Sequence, residues 1–370
     1  MEKITYRDIP IMESHMHIWR EIPLAETLQF CRDTMDEFGY ETLSLLALTD
    51  HWRPDPYRAL HQNSKTLWLK NQLSPRVYAY AHPHMKGLGP DDRGEYYLNQ
   101  AKFYHACGFD GIKLHYAAFV YDEKYPHIPL CDKRYEPFFA WLEQEQIHVV
   151  IHLTAPEICF MRSVDDVPEN QKKYYSGPER FAAYDFMAQN RDFIAMMDKF
   201  PKLNITLAHF GFITLHMDWA EEWLQKYPNL TFDFCPSLFM YYDFMNAPEK
   251  WRDFFLRHSD RLLYGTDIGS NNHDTVHEES GHLVHVVRGF LEGPDPVQDF
   301  DDTFIPISLP DEVLKKVYKT NILRVLGNRA PLETDLGRMR EELPRAEAEG
   351  IPTPLAAENL DILRKAFLSV

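Results

Sequence analysis

Two histidines, His15 and His17, stand at the end of an apolar run near the start of the chain, in the segment Glu13-Ser14-His15-Met16-His17. In an extended strand, residues two apart project from one face, so both imidazoles can meet a single metal ion. Alone the pair is thin evidence, because the chain holds 18 histidines. His152, His209 and Asp267, however, each end another otherwise apolar run. A buried histidine satisfied by one backbone bond is the plain reading of any single one of them. A polar group at the end of run after run points instead to a shared site that handles metal or protons.

Such a site needs strands that end at one place. Eight short β-rich runs occur in order, at 11–18, 42–49, 77–82, 111–115, 148–154, 204–209, 230–234 and 262–266. Most are nearly continuous apolar stretches, as expected for parallel strands covered on both faces. Helix-like segments lie between them, at 24–38, 95–107, 135–146, 180–200 and 218–226. This alternation is the pattern of βαβ units, and eight of them close a (β/α)8 TIM barrel, whose chemistry sits at the carboxyl ends of the strands. An open dinucleotide-binding sheet would want G-x-G-x-x-G after the first strand, where His-Met-His-Ile-Trp stands instead. The predicted organisation is one barrel over 1–330, with long loops at 156–177 and 293–310 as active-site walls or surface excursions. A helical C-terminal extension over 331–370 would pack on the barrel or on an oligomer partner.

Composition narrows the function. With 45% hydrophobic and 26% charged residues the chain has a globular make-up, and its net charge of −17 argues against a nucleic-acid binder, which would show a basic stripe. A small molecule is the expected partner, and a homo-oligomer is expected. The five cysteines, Cys31, Cys107, Cys131, Cys159 and Cys235, form no C-x-x-C pair and are scattered, so neither a disulfide framework nor a zinc knuckle is expected. The first ten residues lack the apolar core of a signal peptide and no stretch reaches membrane-spanning length, which together predict a cytoplasmic protein.

The whole set of segments resembles the amidohydrolase superfamily, and within it the branch of aminocarboxymuconate-semialdehyde decarboxylase, aromatic-acid decarboxylases and sugar or dicarboxylate lactonases. The matching pieces are Glu13-Ser14-His15-Met16-His17, Gly111-Ile112-Lys113-Leu114-His115, Ile151-His152, Leu207-Ala208-His209-Phe210-Gly211, Tyr264-Gly265-Thr266-Asp267 and the closing run from Asn321 to Gly327. The resemblance implies that His15, His17, His152 and Asp267 are metal ligands and that His209 orients substrate or water. Such imidazole and carboxylate ligands suit Zn²⁺ or Mn²⁺, and with no cysteine expected among them a structural zinc site is disfavoured. A bound ion can lower the pKa of water to about 7. Asp267 would then carry its proton and His209 would polarise a carbonyl, which makes these two the catalytic candidates.

Lys113 has three readings: a carboxylated lysine bridging two ions, a cation for an anionic substrate, or a partner of Glu13. One ion is expected, two if Lys113 is carboxylated. Further candidates for the substrate wall are Trp19, Arg20, His51, His84, Arg162 and Tyr241, with tyrosines 174, 175 and 242 as aromatic neighbours on the same loops. Each also has an ordinary reading as a solvated, turn or packing residue. His273, His277 and His282 cluster after the eighth strand and carry no assignment. The leading expectation is metal-dependent hydrolysis of an amide, ester or lactone in a small carboxylated compound. Its rival is non-oxidative decarboxylation of an aromatic or enoic acid, and a third reading is a non-catalytic, metal-bearing ligand-binding barrel.

Overall fold

The computed structural model describes residues 7–48, 61–84, 93–117, 127–177, 179, 184–269, 273–299, 302–348 and 353–369. His51 lies outside them. The backbone of residues 273–279 is helical, but the side chains of His273 and His277 are likewise outside the description.

The chain forms one curled sheet with helices between its strands, a (β/α)8 barrel. Its strands are β1 (Ile11–His17), β2 (Tyr40–Leu46), β3 (Val77–Ala81), β4 (Gly111–His115), β5 (His148–His152), β6 (Ile205–Leu207), β7 (Leu230–Asp233), β8 (Leu262–Leu263) and β9 (Ile268–Gly269). Neighbours pair in parallel in the order β8-β7-β6-β5-β4-β3-β2-β1-β9. The eighth run of the sequence is therefore two pieces. Leu262 and Leu263 pair with β7, while Ile268 and Gly269 pair with β1 through Met16 and His17. The ring closes through this divided segment. Residues 264–267 bridge the gap, with the Asp267 amide donating to His15 O at 2.9 Å.

Parallel strands covered on both faces are buried throughout, and β1, β3 and β4 are buried at every position; β3 is apolar, whereas β1 and β4 bury Glu13, His15, His17, Lys113 and His115 as well. The helix over Leu24–Phe38 ends on Gly39 at φ 70°, a left-handed position that glycine takes without the Cβ penalty. Pro23 gives the start of that helix no side-chain cap. Asn359, from the far end of the chain, does so instead: its Oδ1 accepts from the Leu24 amide at 3.0 Å, and its Nδ2 donates to Ile22 O at 2.9 Å.

The C-terminal residues include helices at Leu336–Met339, Leu343–Ala348 and Pro354–Leu368. They contact the barrel helix Gln62–Leu73, and their Leu360, Leu363 and Phe367 are buried. The Leu332 amide donates to Asp110, and Arg345 reaches His84 at 2.9 Å. The loop expected at 293–310 holds a hairpin, Val297–Asp299 against Asp302–Phe304. Among the described residues no helix is long and apolar enough to cross a membrane.

Candidate metal centre

The register of β1 aims its histidines. Between the pairs Glu13↔Leu43 and Met16↔Leu45, β1 advances three residues while β2 advances two. The extra residue is a bulge, which breaks strict alternation and changes the face taken by everything after it. The Glu13 carboxylate fills the distortion. Its Oε1 accepts from the His15 and Thr266 amides at 2.8 and 3.1 Å, and its Oε2 accepts from Thr266 Oγ1 at 2.8 Å. Burial pushes the Glu13 carboxyl up to about 8, against these hydrogen bonds. Glu13 thus holds the eighth segment to the first strand; of the three readings of Lys113, the one that pairs it with Glu13 gives way to a contact of Lys113 Nζ with His15 Nε2 at 3.1 Å.

Three histidines are each held through Nδ1. His15 Nδ1 lies 2.9 Å from Asp233 Oδ2, His17 Nδ1 lies 2.6 Å from Leu46 O, and His209 Nδ1 lies 3.1 Å from Cys235 O. Two of these partners are carbonyls, which only accept. Burial, with the Lys113 charge adding to it, holds His15 and His17 well below the usual imidazole range, and His209 is lowered to about 4. A neutral ring whose Nδ1–H is spent on an oxygen presents a lone pair, not a proton, at Nε2, and that of His15 also meets Lys113 Nζ. The His15 and His17 Nε2 atoms then face each other at 3.1 Å, each an acceptor without the other's proton. Asp267 Oδ1 stands 3.4 Å from His17 Nε2 and 4.0 Å from His15 Nε2, and it is buried without a hydrogen-bond partner among the described residues. Donor atoms of a tetrahedral site with bonds of about 2.0–2.1 Å lie roughly 3.3 Å apart. A divalent cation fits this set: it resolves the facing lone pairs and satisfies the stranded oxygen.

Asp233, at the end of β7, is the hub that sequence reasoning missed. Besides His15 it accepts from the His209 amide at 2.7 Å and from the Cys235 amide at 3.2 Å. A carboxylate between Phe232 and Phe234 is the only signal the sequence offered. The His209 amide is available to it because residues 209–212 run through four consecutive left-handed φ values, 54°, 54°, 64° and 56°, of which only Gly211 is a glycine. L-residues pay for that conformation at about 1–2 kcal/mol each. Aromatic packing offsets it: Phe210 stacks on Phe232 at 4.4 Å and meets Phe244, Trp251 and Phe255 within 6.0 Å. Asp267 is left-handed too, at φ 57°.

The structure brings together His15, His17 and Asp267, whose ligand atoms all lie within 4.8 Å of one another. It forms a second such group from His15, His209 and Cys235. The expectation of a cluster free of cysteine is therefore corrected: the end of β7 carries Cys235 to the site. Burial pushes its thiol well above the usual range, and the Asp267 and Asp233 charges add to this. His152 ends β5 outside both groups, its ring stacked on His115 at 4.2 Å and 4.8 Å from the His209 ring. Burial pushes the Asp267 carboxyl up to about 7 against the pull of Lys113, and it lowers Lys113.

Trp19 tilts against His17, ring centres 4.6 Å apart, and lies over Gly269, where a Cβ would fall 1.3 Å from Trp19 Cδ1. Arg20 and Arg162 are exposed. His84 is buried between Asn63 and Arg345. Tyr241 is corrected from the substrate wall to the core: it is fully buried, its hydroxyl donates to Phe234 O at 2.8 Å, and its ring packs edge-on to Phe290. On the same loops the Tyr174 and Tyr242 hydroxyls pair at 2.8 Å, and Tyr175 donates to Met161 O.

Comparison with known proteins agrees with the fold. An uncharacterised TIM-barrel protein of Bordetella bronchiseptica is similar over 86% of this chain and 99% of its own, with a TM-score of 0.52 and 13% identity. The 2,6-dihydroxybenzoate decarboxylase of Rhizobium is similar over 86% of this chain and 98% of its own, with a TM-score of 0.50 and 17% identity. Among curated proteins nothing matches. Residues 99–327, more than half of the chain, match the amidohydrolase family model, and the chain belongs to that family.

Proposed function

We propose that this enzyme is a metal-dependent hydrolase that cleaves an amide, ester or lactone bond in a small carboxylated compound. The observation that carries the reading is the convergence of His15 Nε2, His17 Nε2 and the unpartnered Asp267 Oδ1 in a buried site. Bound there, Zn²⁺ or Mn²⁺ would supply Lewis acidity toward a carbonyl and toward water. With Oδ1 toward the ion, the Asp267 carboxylate would take a proton on its other oxygen and return it to the leaving group. His209 offers Nε2, its ring centred 5.5 Å from that of His15 and fixed by Cys235 O. Lys113, buried beside His15, supplies the positive charge that a substrate carboxylate needs away from water. Trp19 packs on His17 and Phe212 packs 5.1 Å from the His209 ring, so aromatic rings border the site.

The same buried Lys113 ammonium favours a second reading, decarboxylation of an aromatic or enoic acid, because it would hold the carboxylate next to the ligands. A panel of lactones, amides and hydroxybenzoates, followed for both acid release and carbon dioxide, separates the two. Cleavage of a lactone or amide without carbon dioxide is expected. Carbon dioxide from an aromatic or enoic acid, with no lactone or amide cleaved, overturns the order.

A further inference from the structure

We propose that Cys235 is a metal ligand beside His15 and His209, giving an ion held there a donor set of nitrogen and sulfur that selects Zn²⁺ and other thiophilic ions over Mn²⁺. The inference rests on the reading of His15, His17 and Asp267 as a metal site. Three observations beyond that reading carry it.

Cys235 is fully buried, and its Sγ lies within 4.8 Å of ligand nitrogens of both His15 and His209, two rings whose Nδ1 atoms are already engaged. Its backbone is fixed at both ends of the residue. The amide donates to Asp233 Oδ1 at 3.2 Å and the carbonyl accepts from His209 Nδ1 at 3.1 Å, so the same two residues that orient the histidines also orient the cysteine. Gly265 leaves room for the approach: a Cβ there would lie 2.9 Å from His15 Cβ and 3.5 Å from Cys235 Cβ, so the glycine lets the end of β7 and β1 converge on one point. A cysteine that merely packs sits among hydrocarbon, whereas this one has ligand nitrogens of two imidazoles within 4.8 Å of its sulfur.

The two ligand groups share His15 and no other residue, so Cys235 offers its sulfur to an ion held by His15 and His209, next to the group of His17 and Asp267. Thiolate is a soft donor that favours Zn²⁺, while Mn²⁺ prefers carboxylate and water. Binding breaks the Sγ–H bond and forms a bond from sulfur to the ion; the proton leaves to solvent, and nothing is oxidised or reduced.

The test uses the full chain, stripped with a chelator and reloaded with Co²⁺, which reports a thiolate ligand as a sulfur-to-cobalt charge-transfer band in the near ultraviolet. The band is expected in the wild type and absent from Cys235→Ser and Cys235→Ala. Zn²⁺ affinity should fall at least about tenfold in both variants while Mn²⁺ affinity changes less than about threefold. Melting of the stripped proteins checks that the variants are folded, and two variants of different polarity keep the comparison usable if one is unstable. A Co²⁺-loaded wild type without the band, or Zn²⁺ affinity unchanged in both variants, overturns the proposal and leaves the metal site standing. Zn²⁺ and Mn²⁺ binding unchanged in His15→Ala would overturn the metal site itself, and this proposal with it.

Discussion

Replacing Asp233 by asparagine changes one oxygen to an amide nitrogen and should disable His15 as a ligand. The carboxylate takes three donors: His15 Nδ1–H on Oδ2, and the His209 and Cys235 amides on Oδ1. An asparagine has one carbonyl oxygen. If it serves the two backbone amides, its NH₂ group faces His15 Nδ1, and the ring relieves the clash by moving its proton to Nε2, where the lone pair for the ion was. If the amide flips, two backbone N–H groups face an NH₂ group in a buried site. A buried donor left unsatisfied costs about 1–3 kcal/mol. Loss of a carboxylate that orients a ligating histidine typically costs about 10- to 100-fold in metal affinity. The expected result for Asp233→Asn is a Zn²⁺ dissociation constant raised by that factor, measured by competition with a chromophoric chelator, with the stripped protein less stable in urea. Equal Zn²⁺ affinity in the variant would show that Asp233 does not set the His15 tautomer, and the lone-pair argument would fail.

Two further outcomes are expected. Gly269→Ala would place a Cβ 1.3 Å from Trp19 Cδ1, so Trp19 must leave its place against His17; overpacking of this kind costs about 1–3 kcal/mol. A Trp19→Ala background should remove most of that penalty, and additive penalties in urea unfolding would refute the contact. Asp243 gives a pH dependence. Burial raises its carboxyl from the ordinary 3.8 to about 7, against hydrogen bonds from Thr214 and Gln171, with Glu157 adding to the rise and His216 opposing it. Between those values the folded chain holds a proton that the unfolded chain has lost, so stability falls as pH rises from about 4 to 7, by up to about 4 kcal/mol. Asp243→Asn should flatten that part of the urea-stability profile, and an unchanged slope would remove Asp243 as its source.

Much of this protein is written in local sequence. Apolar runs alternating with amphipathic segments determine parallel strands between helices, because each pattern can bury its face in only one way. His15, His17, His209 and Asp267 were legible because a polar side chain that ends an apolar run has a strand's end as its address. What the sequence could not show depends on residues far apart in the chain. The bulge in β1 exists only in the pairing of β1 with β2 and the eighth segment, through Glu13 and Thr266, so the face taken by His15 and His17 was decided by register. The division of the eighth run into β8 and β9 follows from one segment having to satisfy β7 and β1 at once. Asp233 and Cys235 look like interruptions in an aromatic strand until His15 and His209 are folded against them, and Tyr241 looks like a loop aromatic until Phe290 and Phe304 close over it. His152 shares its signature with the other histidines, yet stacking on His115 draws its ring aside. Periodicity carries burial and direction along one strand; which donor atoms meet within bonding distance is set by how eight strands twist around a common centre, and that is decided only in three dimensions.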